Sequence, residues 1–330
     1  MSRLGWATIA ATAAGLALAL WMLGIVGARQ TFHAMAQIGA PGFVLFLASY
    51  GLVLVALGGA WAVSGRFAIR QIPAFVVGRA VREAANDLLP FSQIGGLVLG
   101  LKVVASAGIA PARAYAATVI DLTTEIVSQL MLVLLGVAIA LGLARGIAAD
   151  ARLQTAIWSG TALLCAFAAG VLLLRRPALN LIARMANRVV PAAAATMDAV
   201  RDELAALERG RFSLLPSLAW NLAAWLLSVF SIWLALRLLG HPLVFSRVLA
   251  LEALISVVRS SAFLLPGALG AQEAGYVLLG ALVGLDRETA LALSLLKRAR
   301  DLAIGVPTLL VWQGALVRRA AILSGVGEPR

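Results

Sequence analysis

The sequence predicts an all-α polytopic membrane protein made of two inverted-topology repeats, each carrying a re-entrant helical hairpin. Three observations predict it. Of the 330 residues, 62% are hydrophobic and only 13% charged, in long apolar runs that recur from end to end, more than a soluble fold of this size can bury. Leu-Leu-Pro occurs at 88–90 and again at 264–266, and residues 88–118 lie on 264–294 without a gap at an offset of 176. That alignment holds seven identities in 31 positions, against roughly three by chance for such an Ala- and Leu-rich chain. At the same offset Asp121 and Glu125 fall on Lys297 and Asp301, ionisable pairs four residues apart inside apolar runs. Charges at matching depths in two copies of a membrane unit point to movement of a solute or lipid.

The elements follow in order. Residues 4–27, after Arg3, are too long for a signal h-region and read as a retained first span. Spans follow at 41–63, 113–143, 153–174, 213–239 and 289–317. The regions 66–106 and 242–285 are each interrupted by Leu-Leu-Pro, where proline removes a helical donor and turns the preceding residue away from helix. Each is therefore expected to enter the bilayer and return, with protein or water covering the broken backbone. Pro177 starts an amphipathic helix with Leu179, Ile182, Met185 and Val189 on one face; Pro191 ends it, and a second helix with Asp198, Asp202, Glu203 and Glu208 follows. The whole of 1–330 is one membrane domain: a first repeat at 41–143, a linking span and cytoplasmic amphipathic helices at 144–216, and a second repeat at 217–319.

The net charge of +12 does not indicate nucleic acid, because most basic residues stand between the apolar runs. Fifteen lie at 64–87, 175–212 and the two termini, and six on the opposite side. The positive-inside rule then places both termini in the cytoplasm. Cys165, the one cysteine, sits in an apolar run and forms no disulfide framework. No nucleotide loop, zinc-protease helix or serine-nucleophile elbow occurs, and His33 and His241 fall in outer loops, so no cofactor, no metal and no catalytic residue is expected.

The candidate site has two parts. Counting inward at 1.5 Å per residue, Asp121 and Lys297 lie about 12 Å from opposite faces and Glu125 and Asp301 about 18 Å, near the midplane. The basic residues Lys297, Arg298 and Arg300 are expected to pair with Asp121, Glu125 and Asp301 across the repeat interface, since an unpaired buried charge costs several kcal/mol. The second part is the hairpin tips: Pro90, Ser92, Gln93 and Gly95 in one, Pro266, Gly267, Gly270, Gln272 and Glu273 in the other. A helix restarting there would aim its N-H groups at a phosphate or carboxylate. Packing without a ligand explains Gly95 and Gly96 equally well. Arg259 has Glu273 or Glu252 as its expected partner.

The segments 86–96, 121–125, 269–276 and 295–302 resemble the hopanoid-biosynthesis-associated membrane proteins, within the broader family typified by the flippase-like transmembrane domain of lysylphosphatidylglycerol synthase. The resemblance covers nearly the whole chain and carries four motifs in order. It implies a lipid-handling protein of a Gram-negative inner membrane, with a hopanoid or phospholipid as partner and hopanoid-biosynthesis enzymes as neighbours. With few residues after Arg319, no soluble aminoacyl-transferring domain is expected. The leading expectation is a lipid flippase; the alternatives are a non-transporting scaffold or accessory subunit, and an intramembrane enzyme using Asp121 and Glu125.

Overall fold

The computed structural model describes residues 28–88, 92–144, 191–209, 214–262, 268 and 270–325, with scattered positions between 155 and 173. These form α1 (Ala28–Ser64), a 3-10 turn (Ile69–Gln71), α2 (Ile72–Leu88), α3 (Ser92–Ser106), α4 (Pro111–Ala144), α5 (Pro191–Leu207), α6 (Leu215–Leu238), α7 (Phe245–Ser261), α8 (Ala271–Val283) and α9 (Arg287–Gly325). Among the described residues no strand occurs. The portions Ala36–Ser64, Pro111–Leu143 and Leu215–Leu238 are long and apolar enough to cross a membrane, which makes the chain a multi-pass helical membrane protein. The expected spans 4–27 and 153–174, and the helix beginning at Pro177, lie outside the continuously described stretches.

α1 breaks at Gly39, whose φ of 66° only glycine adopts at little cost, just ahead of Pro41. Beyond it α1 lies along α6. Ser49 and Ser231 hydroxyls meet at 2.8 Å and Ser64 and Ser217 at 2.7 Å, while Val53 and Ala56 pack on Ala224. Small residues and hydroxyls let the two backbones approach, as lipid-embedded helices require.

The two interrupted regions each fold as a pair of short helices. The first pair packs closely: a Cβ on Gly96 would stand 2.2 Å from Asn86 Oδ1, and one on Gly100 would stand 2.9 Å from the Gly78 carbonyl. In the second pair Gly275 faces Ile255 and Val258 with slightly more room. The breaks fall where the prolines predict, although Pro90, Pro266 and Gly267 themselves lie outside the described residues.

The long closing helices cross over. α4 packs on α7 through Val133, Val137 and Ala140 against Ala250 and Leu254, and a Cβ on Gly136 would stand 2.2 Å from the Ala253 methyl. Reciprocally, α9 packs on α2, with Leu309 against Val81, Ala84 and Leu88 and Gly305 beside Leu88. Each closing helix thus lies on the opening arm of the other pair. The first residues of α4 and α9, Pro111 and Arg287, are 176 apart, the offset of the sequence match.

Pro191 begins α5 instead of merely breaking a helix. Leu204 and Leu207 cover Ala116 and Ile120 at the start of α4. Arg66 donates to the Leu207 and Arg209 carbonyls at 3.1 Å, and Arg113 to the Gly65 carbonyl at 2.9 Å, so one end of the bundle is sewn by arginine to backbone. At the start of α9, Asp286 accepts from the Thr289 N-H at 2.9 Å and from its hydroxyl at 2.7 Å. These bonds hold the Asp286 carboxyl below the usual carboxylate range.

Candidate functional site in the helix core

The expected span 289–317 lies within α9, yet α9 is no plain apolar span: every residue from 293 to 301 is buried, including Lys297, Arg298, Arg300 and Asp301. Residues 248–256 of α7 are buried throughout as well. A helix with no exposed face runs through protein, so each charge on it must find its partner there.

On the side of the first pair, Asp121 and Glu125 share one face of α4 and meet Arg79 and Arg82 of α2. Arg79 Nη1 donates to Asp121 Oδ2 at 3.2 Å and to Glu125 Oε2 at 3.1 Å, and Nη2 forms a very short bond to Glu125 Oε1. Its Nε stands 2.8 Å from Glu83 Oε1. Arg82 reaches Glu125 at 3.2 Å and Asp121 at 3.7 Å. Positions 79, 82 and 83 share a helix face for the same reason that 121 and 125 do, the 3.6-residue turn. From α6, Asn221 Nδ2 donates to Asp121 Oδ1 at 3.3 Å and to Thr124 Oγ1 at 3.0 Å, and Thr124 meets Ser217 at 2.7 Å.

On the other side the wiring is one to one. Lys297 Nζ donates to Glu252 Oε2 at 2.8 Å and to the Tyr276 hydroxyl at 2.9 Å; that hydroxyl donates in a short bond to Glu252 Oε1, closing a triangle. Arg298 holds Glu273 at 3.1 Å. Arg300 holds its neighbour Asp301 through Nε at 3.1 Å and Nη2 at 2.8 Å, and its guanidinium lies 3.8 Å from the Tyr50 ring centre. Stacking of this kind suits the planar, weakly hydrated guanidinium.

The tips of the two helix pairs meet. Arg259, near the end of α7, donates from Nη2 to Asp87 Oδ1 at 2.9 Å, near the end of α2, and from Nη1 to Gln272 Oε1 at 3.1 Å in the first turn of α8. This joint is more open than the rest: the Arg259 side chain is 31% exposed and Asp87 13%, against 0% for Asp121 and 1% for Asp301. Glu125, Glu83 and Glu273 are also partly exposed, whereas the guanidinium groups behind them are buried.

The expected pairing across the repeat interface is corrected by this geometry. Asp121 and Glu125 take Arg79 and Arg82, not Lys297, Arg298 or Arg300, and those three find Glu252, Glu273 and Asp301 on their own side. Distance decides: partners on adjacent helices of one unit lie closer than midplane partners of the other. Arg259 pairs with Asp87, not with Glu273 or Glu252. Arg79 and Arg82, counted above among the basic residues of a cytoplasmic loop, are 1% and 6% exposed core groups.

The tip residues are brought together in part. Gly270 has a φ of 74° and caps α8, where its N-H goes to Glu273 Oε2 at 2.8 Å. The expected anion cradle at this helix start is therefore partly filled by the protein's own carboxylate, which Arg298 also holds. Gly95 is exposed with nothing near its α-carbon, and the close helix contact falls on Gly96. Ser92 and Gln93 begin α3, their side chains lying outside the described set. Among the described residues no three His, Cys, Asp or Glu side chains gather as a metal would need.

Sequence reasoning missed Arg79, Arg82, Glu83, Asp87, Tyr50, Tyr276 and Asn221. One signal was present: Arg79, Arg82 and Glu83 at i, i+3 and i+4 complement the four-residue spacing of Asp121 and Glu125. Comparison with curated proteins and with solved structures finds no match to this chain. The model of the lysylphosphatidylglycerol synthase TM region matches residues 8–308, and the chain belongs to that family of membrane domains.

Proposed function

We propose that the protein moves an amphiphilic lipid between the leaflets of a bacterial inner membrane, leaving it chemically unchanged, by rocking two inverted units against each other. The observation that carries this reading is the meeting of the two short-helix pairs at the partly exposed Arg259–Asp87 joint, beside the buried charges of α9. A polar, partly open path next to charged helices inside a membrane domain suits a headgroup, while the tail stays in lipid.

The inverted arrangement is supported by the reciprocal crossing of α4 on α7 and α9 on α2, and by their 176-residue spacing. In this arrangement the pairs α2–α3 and α7–α8 are re-entrant hairpins entered from opposite faces. Without the buried Arg79 and Arg82, thirteen basic residues remain on the side of the termini against six on the other, which favours cytoplasmic termini. The hopanoid as cargo, and hopanoid enzymes as neighbours, rest on the sequence resemblance.

A static scaffold is the second reading. What favours it is that Arg79, Arg82, Lys297 and Arg300 all have carboxylate partners within their own unit, a lattice that can simply hold the bundle together. The readings separate on leaflet exchange of a headgroup-labelled bacteriohopanepolyol and a labelled phospholipid in liposomes holding the purified protein. Exchange that falls in Arg259→Gln supports transport; no exchange of either lipid by folded protein leaves the scaffold.

A further inference from the structure

Three buried polar atoms around the joint of the two helix pairs have no partner: Gln272 Nε2, Arg300 Nη1 and Asp301 Oδ2. Their residues are 0%, 2% and 4% exposed. Gln272 is tied to Arg259 through its other amide atom, and Arg300 to Asp301 through its other nitrogens. Asp301 is also an electrostatic neighbour of Arg259, which links the three residues through that one arginine. Buried polar atoms are rarely left unsatisfied, and three so linked ask for a bound group. Gln272 Nε2 and Arg300 Nη1 are N-H donors, and Asp301 Oδ2 is an acceptor. A hydroxyl has the complementary set, two lone pairs and one O-H.

The surrounding charge narrows the class. Arg259 is paired with Asp87, Arg298 with Glu273 and Arg300 with Asp301, so the neighbourhood is balanced pair by pair. A phosphate would bring its charge against the unspent Asp301 oxygen, and an ammonium would bring its charge against the Arg300 guanidinium. A hydroxyl uses only the unspent valences and disturbs none of the pairs. Tyr50, half-buried with its ring under Arg300, supplies an apolar and hydroxylated wall of the kind that sugar and polyol groups pack against.

We propose that Gln272, Arg300 and Asp301 form a subsite for a hydroxyl of a neutral, polyhydroxylated lipid headgroup, reached past Arg259. This rests on the lipid-transport reading for its biological role, and on the three atoms alone for its chemistry.

The test uses the full chain in nanodiscs of phosphatidylcholine, doped with equal mole fractions of one of three lipids sharing the same diacyl tails. These are a galactosyl diacylglycerol, phosphatidate and a cationic trimethylammonium lipid; free galactose is a fourth arm. Thermal unfolding followed by tryptophan fluorescence should show saturable stabilisation by the glycolipid alone. In Gln272→Met the apparent affinity should fall about tenfold, the loss of one hydrogen bond to a buried site. Asp301→Asn serves as a second variant if the first folds poorly. Equal stabilisation by phosphatidate or the cationic lipid overturns the proposal, as does a response to free galactose as strong as that to the glycolipid. So does the absence of any saturable response, which would mean the three atoms are merely hydrated. Glycolipid binding without leaflet exchange would remove the transport reading and leave the subsite standing; exchange without glycolipid selectivity would do the reverse.

Discussion

The two halves of the molecule share a helix plan but not a charge plan. In residues 41–143 two arginines and three carboxylates are pooled in one network across α2 and α4, with Arg79 touching Glu83, Asp121 and Glu125. In residues 217–319 the charges of α9 form separate pairs, Lys297 with Glu252, Arg298 with Glu273 and Arg300 with Asp301, while Arg259 reaches across to Asp87. The burial differs in parallel. Residues 248–256 and 293–301 are buried throughout, whereas their counterparts at 117–125 include half-buried positions and those at 72–80 half-buried and exposed ones. Two of the three pooled carboxylates, Glu83 and Glu125, are partly exposed, so water can screen the surplus, and the fully buried Asp121 has two arginines and Asn221 around it. The difference teaches that matching positions can exchange sign, as Asp121 and Lys297 do, provided each unit supplies its own counter-charge.

The largest effect should come from the hub. Arg79→Met takes from Glu83 its arginine and leaves Asp121 and Glu125 with Arg82, and should cost roughly 3–5 kcal/mol or more of stability, read by denaturant unfolding in detergent. Lys297→Met should cost nearly as much, about 3–4 kcal/mol, by stranding Glu252. Here the one-to-one wiring makes a sharper claim: adding Glu252→Gln should return most of the loss, whereas no single neutralisation should rescue Arg79→Met. If Glu252→Gln fails to rescue, the pairing is not one to one.

Packing gives a smaller contrast. Gly96→Ala pushes a methyl into Asn86 and should cost about 1–3 kcal/mol, while Gly95→Ala, on an open face, should leave stability unchanged or slightly raised. Thermal unfolding of the two variants side by side checks it.

The breaks in the fold were legible because proline and its neighbour are restricted by covalent geometry, and the spans because membrane length is fixed. The charges in α4 and α9 stood out against apolar runs. Arg79 and Arg82 did not, since arginines in a mixed stretch read equally as a loop beside headgroups, and only the packing of α2 against α4 distinguishes the two. The partner of each charge was not legible either. Lys297 has several carboxylates at the same depth along the axis, and which one it meets depends on the lateral order of helices, which sequence spacing does not encode. Glu273 reads in the sequence as a residue that caps or lines a tip, and its contacts with Gly270 and Arg298 make it an internal cap.

The smallest effect lies outside the core. Because the folded Asp286 carboxyl is held low by Thr289, its capping contribution is complete above the unfolded value of about 3.9 and is lost as pH falls through the folded value. The unfolding difference between the wild type and Asp286→Asn should therefore hold near neutral pH and close below about pH 4.

In the rocking mechanism the joint between the two units moves when lipid crosses. That motion is tested by placing cysteines at positions 87 and 259 in a Cys165→Ala background and bridging them with a reducible bis-thiosulfonate spacer, then following leaflet exchange in liposomes before and after reduction. The bridge should form, exchange should fall sharply below that of the unbridged double-cysteine protein while it holds, and reduction should return exchange to the unbridged level. Exchange that continues unchanged with the bridge in place would contradict the rocking mechanism.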